Sequence, residues 1–129
     1  MMSYQSLLAI GSGGFLGAIS RAYLNGFISH RFTHDIPVGT LGVNLIGSFI
    51  IGILFALFLH TQLFSLHVKS FISTGFLGAL TTYSTFAIES FILLQNGHYL
   101  HGFANMALNL FGTVTFAGIG FLFTQYFVK

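Results

Sequence analysis

Four long apolar runs, parted by short polar stretches, fill almost the whole chain. They cover about residues 7–28, 38–59, 71–94 and 102–128. Each is long enough to cross a bilayer, which takes roughly 20 apolar residues in a helix. The pattern predicts four transmembrane helices in a single membrane domain spanning residues 1–129. Nothing remains for a soluble domain.

The runs are not uniformly apolar. The third holds G-F-L-G-A-L-T-T-Y-S-T-F-A-I-E from Gly75 to Glu89. Hydroxyls and a carboxylate are costly in hydrocarbon and belong against a bundle interior or a wet path. Gly75 and Gly78 loosen the backbone beside them, and non-helical backbone at membrane depth needs protein or a cavity around it. The stretch therefore predicts a broken third helix. Beyond the break, Thr82, Thr85, Phe86 and Glu89 share one helical face, and Thr81, Ser84 and Thr85 form an adjacent strip. Tyr83 and Phe86 are neighbours on it. Glu89 reads either as a hydrogen-bonded buried carboxyl or as a functional one.

The other spans carry stripes too. In the first, Gly13 with Gly17 and Gly14 with Ala18 have the spacing of close helix packing. Arg21 lies near its end, either as an interfacial anchor or as a vestibule charge that concentrates anions. In the second, Thr40, Asn44, Ser48 and Gly52 recur every four residues. Asn44 admits two readings: an interhelical hydrogen bond, or a donor lining a pore. In the fourth, Asn105, Asn109, Thr113 and Ala117 continue the theme. Polar stripes in three spans imply a shared polar interior, and four helices alone are thin for a channel. Oligomerisation is expected.

Composition sharpens this. Of 129 residues, 54% are hydrophobic and 5% charged, a balance no soluble domain of this size could carry. The absence of cysteine excludes disulfides and thiolate chemistry. His30 and His34 have metal-compatible spacing but no convincing third ligand. His60, His67, His98 and His101 fall at span ends, as interfacial residues do. No nucleophile elbow, zinc-protease motif or phosphate loop is present, so an enzyme is not expected. Lys69 and Lys129 lie on one side of the membrane, Arg21 and Arg31 on the other. Lys/Arg asymmetry sets orientation, and here it is nearly balanced, so insertion both ways and an antiparallel dimer follow as an expectation.

The stripes suit transport. Hydroxyls, an amide and the electropositive edge of an aromatic ring can replace the water around a small anion. Carbonyls freed at a helix break can hold a cation. The residues alone identify neither ion.

G-T-L-G-V-N-L-I-G-S-F at Gly39–Phe49 and G-F-L-G-A-L-T-T-Y-S-T-F at Gly75–Phe86 resemble the signatures of the Fluc (CrcB) fluoride channels. G-A-I-S-R-A-Y at Gly17–Tyr23 is similar to that family's first-span pattern. The resemblance covers the whole chain. It implies an all-α, four-helix subunit of the cell membrane with a broken third helix, paired as an antiparallel dual-topology homodimer. It implies two antiparallel pores that passively export fluoride. It also implies a sodium ion at the dimer centre, on the backbone carbonyls of Gly78 and Thr81. The pore positions fall on Asn44, Tyr83, Ser84, Thr85, Phe86 and Thr113, with Arg21 in the vestibule and Glu89 as a gating or coupling residue. One departure is Tyr83, where the family usually has phenylalanine; the ring edge stays and a hydroxyl is added. Some relatives pair unlike subunits, which leaves a heterodimer open. The alternative function is a small dual-topology, proton-coupled exporter of toxic cations. Such exporters place an essential carboxylate in the first span, where this chain has Arg21 and no acid.

Overall fold

The structure, a computed structural model, describes residues 1–129 and is all helical. Four helices are long and apolar enough to cross a membrane. They are α1 (Tyr4–Arg31), α2 (Val38–His60), a composite third span (Leu66–Gln95) and a last helix (Tyr99–Val128). All but α2, which adds only His60, extend past their apolar runs by a few residues, because a helix continues into the interfacial layer, where polar side chains are at home. Ser3 caps α1, its hydroxyl accepting from the Ser6 N–H at 3.2 Å. The basic residues His30 and Arg31 end α1, where the helix dipole favours them.

The third span is built of pieces. After Ser65, which caps it through the Val68 N–H, come α3 (Leu66–Lys69), a π-helical stretch (Ser70–Leu77) and α4 (Gly78–Leu80). Thr81 (φ −83°, ψ 153°) and Thr82 (φ −147°, ψ 114°) are extended, and α5 (Tyr83–Gln95) resumes the helix. The expected break is therefore present, just past the glycines expected to loosen the backbone. Gly75 lies within the π-helical stretch and Gly78 is in the helical region at φ −62° and ψ −33°. The interruption falls three residues later, at two threonines. The helical face expected to run on from Thr81 does not, since the helix stops there.

α5 ends at Asn96 and Gly97. Gly97 is the one residue with positive φ, +82°, and Cβ-free backbone adopts that conformation without strain. The last helix, α6, is Tyr99–Val128.

Small residues set the packing. Gly75 approaches α1 so closely that an added Cβ would lie 2.7 Å from the Ile10 carbonyl oxygen. Gly13 and Gly17 face the backbone of Phe71 and Phe76 from the other side, as their spacing foretold. Likewise a Cβ on Gly52 would meet the Ala117 carbonyl, and one on Gly120 the Phe49 carbonyl. These two glycines let α2 and α6 touch backbone to backbone. The first half of the third span thus leans on α1, while α5 leans on α6.

The interior inverts that of a soluble protein. Eight polar side chains are buried, against four hydrophobic ones: Val43, Ala56, Leu77 and Leu80. The large apolar side chains point outward, where a bilayer receives them.

Candidate functional site

The helix break is held open by a side chain from another span. Asn44, buried on α2, donates through Nδ2 to the Thr82 carbonyl at 3.0 Å. Its Oδ1 accepts from the Thr82 N–H at 2.7 Å. One amide thus satisfies both backbone groups of an extended residue, as a neighbouring strand would. Asn44 also donates to Asn109 Oδ1 at 2.9 Å, so both its amide protons are engaged.

The break changes which carbonyls have partners. In a continuous helix the N–H groups of residues 82–85 would serve the carbonyls of 78–81. Here the Thr82 N–H goes to Asn44, and the Thr85 N–H goes to Thr82 Oγ1 at 3.3 Å. The Thr81 N–H still donates to the Leu77 carbonyl, at 3.1 Å. The carbonyls of Gly78 and Thr81 have lost their helical donors.

Asn109 anchors a second layer. It donates to the Asn105 carbonyl at 2.9 Å, and Asn105, fully buried, donates to Ser90 Oγ at 2.8 Å. Ser90 in turn donates to the Phe86 carbonyl at 2.7 Å. The network therefore runs from α2 through the break to α6 and back to α5, directly beneath the aromatic pair. Tyr83 and Phe86 meet edge to face, with centroids 4.7 Å apart and planes at 83°. Tyr83 is 78% exposed and Phe86 half-buried.

Break, rings and amides open on one cavity of about 430 Å³. Asn44, Gly78, Thr81, Tyr83, Phe86 and Thr113 all line it. So do Ser48, Met106 and Asn109. Gly47 lines it as well, and its missing Cβ leaves room for the Thr81 side chain. Thr81 turns its hydroxyl back to the Leu77 carbonyl at 3.0 Å, and Thr113 binds the Asn109 carbonyl in the same manner.

Four of the candidate residues lie outside this cavity. Ser84 is exposed on α5, and Thr85 accepts from Thr82 Oγ1 at 2.8 Å. Arg21 is half-buried on α1 and pairs with no carboxylate. Glu89 belongs to a separate polar string. Thr40 donates to Glu89 Oε1 at 2.8 Å, Asn25 donates to Thr40 Oγ1 at 3.3 Å, and Ser29 donates to Asn25 Oδ1 at 3.2 Å. The other carboxyl oxygen, Oε2, is buried with no partner in the subunit.

Asn109 is the site residue that sequence reading left as one member of a stripe. Its signal was present in the four-residue spacing of Asn105, Asn109 and Thr113. Which of the three faced the break was not, because that depends on the register of α6 against α2.

Residues 8–121 match the family described as CrcB-like protein, Camphor Resistance (CrcB). The chain is 68% identical over 120 residues to a fluoride-specific ion channel of Sulfurimonas denitrificans, with 93% of each chain covered. It is 45% identical to the fluoride-specific ion channel of Nautilia profundicola, covering 93% of this chain and 94% of that one. With the fluoride-specific ion channel of Campylobacter jejuni strain NCTC 11168 it shares 50% identity, covering 91% of this chain and 95% of that one.

Proposed function

Because this chain belongs to the CrcB family, whose relatives are fluoride-specific ion channels, we propose that it conducts fluoride across the cell membrane and lowers cytoplasmic fluoride by passive export. The observation that carries the mechanism is the convergence on one cavity of the helix break, the Tyr83–Phe86 pair and the amides of Asn44 and Asn109.

A fluoride ion leaving water needs donors at every step. The ring edges of Tyr83 and Phe86 present positive C–H dipoles. Thr113 lines the same cavity with its hydroxyl turned to the Asn109 carbonyl, and the hydroxyls of Ser84 and Thr85, outside the cavity of one subunit, would join the path only where it continues along α5. The Asn44 amide braces the break, and its dipole fixes the polarity of the path beside it. Uncharged donors suit conduction, since they bind an ion strongly enough to admit it and weakly enough to release it. Arg21 raises the local anion concentration at the entrance. Glu89, with one oxygen held by Thr40 and the other unpartnered, serves as the gating or coupling group. The Tyr83 hydroxyl adds a donor that a phenylalanine would lack.

One subunit does not enclose a path, and the cavity is open along one side. A second, antiparallel copy would cover it and create two equivalent pores. The near balance of Lys and Arg on the two sides supports that arrangement. The break would then lie at the dimer centre. Sodium takes oxygen ligands, and the Gly78 and Thr81 carbonyls, stripped of helical donors, fit that need. These carbonyls would hold the ion, which would supply positive charge beside the break.

The test is fluoride efflux from liposomes that contain the purified chain alone, followed with a fluoride electrode and repeated with chloride. Fast fluoride loss without chloride loss is expected. A folded, dimeric protein that passes no fluoride would overturn the homodimeric channel and point to an unlike partner subunit.

A further inference from the structure

The last turns of α1 carry a feature that fluoride conduction does not use. Tyr23, Gly26, Phe27, His30 and Arg31 line a shallow cavity of about 550 Å³ on the outer side of that helix. Their positions follow the i, i+3, i+4, i+7, i+8 pattern of a single helical face. Gly26 is the floor, since an added Cβ there would meet nothing within 4 Å. Tyr23 (73% exposed) and Phe27 (55% exposed) are the walls. From Tyr23 to Arg31 the groove climbs about 12 Å along the helix axis.

Its depth in the membrane follows from the sequence. The apolar run of the first span ends at Ile28, and Ser29, His30 and Arg31 follow it. The upper end of the groove is therefore at headgroup level and its lower end among the first acyl carbons.

Its charge is uncompensated. The chain has two carboxylates, Asp35 and Glu89. Asp35 is 3.7 Å from His101 Nε2, and Glu89 is bound to Thr40 in the interior. Arg31 has no ion pair. A guanidinium fork beside a histidine, at headgroup depth and above an aromatic-walled groove, complements a phosphodiester with a hydrocarbon tail.

We propose that this face binds one anionic phospholipid. Its phosphate is held by Arg31 with His30 as a second donor, and its upper acyl segment lies over Gly26 between Tyr23 and Phe27. The site depends on the first span alone and stands independently of the ion the channel carries.

The experiment is native mass spectrometry of the full chain from mild detergent, with phosphatidylglycerol or phosphatidylcholine added. Phosphatidylglycerol should be retained roughly fivefold more, the ratio that ~1 kcal/mol per basic residue at an anionic surface corresponds to. Arg31→Gln should remove that preference. Gly26→Leu should reduce retention of both lipids while leaving the charge in place. Lys129→Gln, an equal loss of charge elsewhere, should change neither. Fluoride efflux reports that each variant is folded. Equal retention of the two lipids by the unaltered chain, or an unchanged preference in Arg31→Gln, would overturn the proposal. Unchanged retention in Gly26→Leu, or displacement of the lipid by excess inorganic phosphate, would overturn the acyl groove.

Discussion

The side-chain amide of Asn44 makes two hydrogen bonds to the backbone of Thr82, donating to its carbonyl at 3.0 Å and accepting from its N–H at 2.7 Å. A residue 38 positions away in sequence thereby holds the third span in its broken form. Asn44→Ala would strand both backbone groups in the interior, and each unpaired buried group costs about 1–3 kcal/mol. Thermal unfolding in detergent should show a clear loss of stability, with fluoride flux lost alongside. An unchanged melting temperature would mean that the break persists without its brace.

Phe86 lines the cavity and packs edge to face with Tyr83. Phe86→Ile keeps much of the bulk and removes the edge. Fluoride efflux should fall to the background of empty liposomes while the proposed dimer stays intact by size-exclusion chromatography. Wild-type flux in that variant would move the path away from this face.

Tyr83→Phe tests the added hydroxyl. The edge-to-face geometry with Phe86 needs only the ring, so the variant should fold and conduct. Its efflux rate should stay within roughly one order of magnitude of the original, a change of at most ~1.4 kcal/mol in the barrier. Complete loss of efflux would make the phenol itself indispensable.

The α2–α6 contact predicts a contrast between glycines. An alanine at Gly52 would press on the Ala117 carbonyl, which cannot move aside as a flexible side chain can. Gly52→Ala should cost about 1–3 kcal/mol of stability through forced separation of the helices. Gly118, where a Cβ meets nothing within 4 Å, should accept alanine with no loss. Melting temperatures of the two variants decide between them.

Removal of sodium tests the freed carbonyls. If the proposed dimer holds sodium, exchange of all sodium for a large organic cation should slow fluoride efflux and weaken that dimer, and restored sodium should reverse both. Efflux indifferent to sodium would remove the ion from the centre of the assembly.

Much of this was legible in order of residues. The lengths of the four apolar runs determine the spans, since a bilayer admits only helices of that length. The four-residue stripes of Thr40 to Gly52 and Asn105 to Ala117 determine that the interior is polar, because no lipid-facing surface tolerates them. The stretches Gly39–Phe49 and Gly75–Phe86 together carry the resemblance to the family, and the ion follows from that resemblance and not from the residues alone. What the tertiary structure decided is where those stripes meet. The break opens at Thr81 and Thr82, just past the glycines, where Asn44 of another span satisfies the Thr82 N–H and carbonyl. Gly75 and Gly78 remain in the helical stretch before it, and Gly75 lets α1 approach. The sequence offers Glu89 as a hydrogen-bonded carboxyl without naming its partner, which the fold supplies as Thr40 from α2. Periodicity along one helix specifies a face; the register between helices specifies which atoms on two faces come within 3 Å, and that register is a property of the packed bundle.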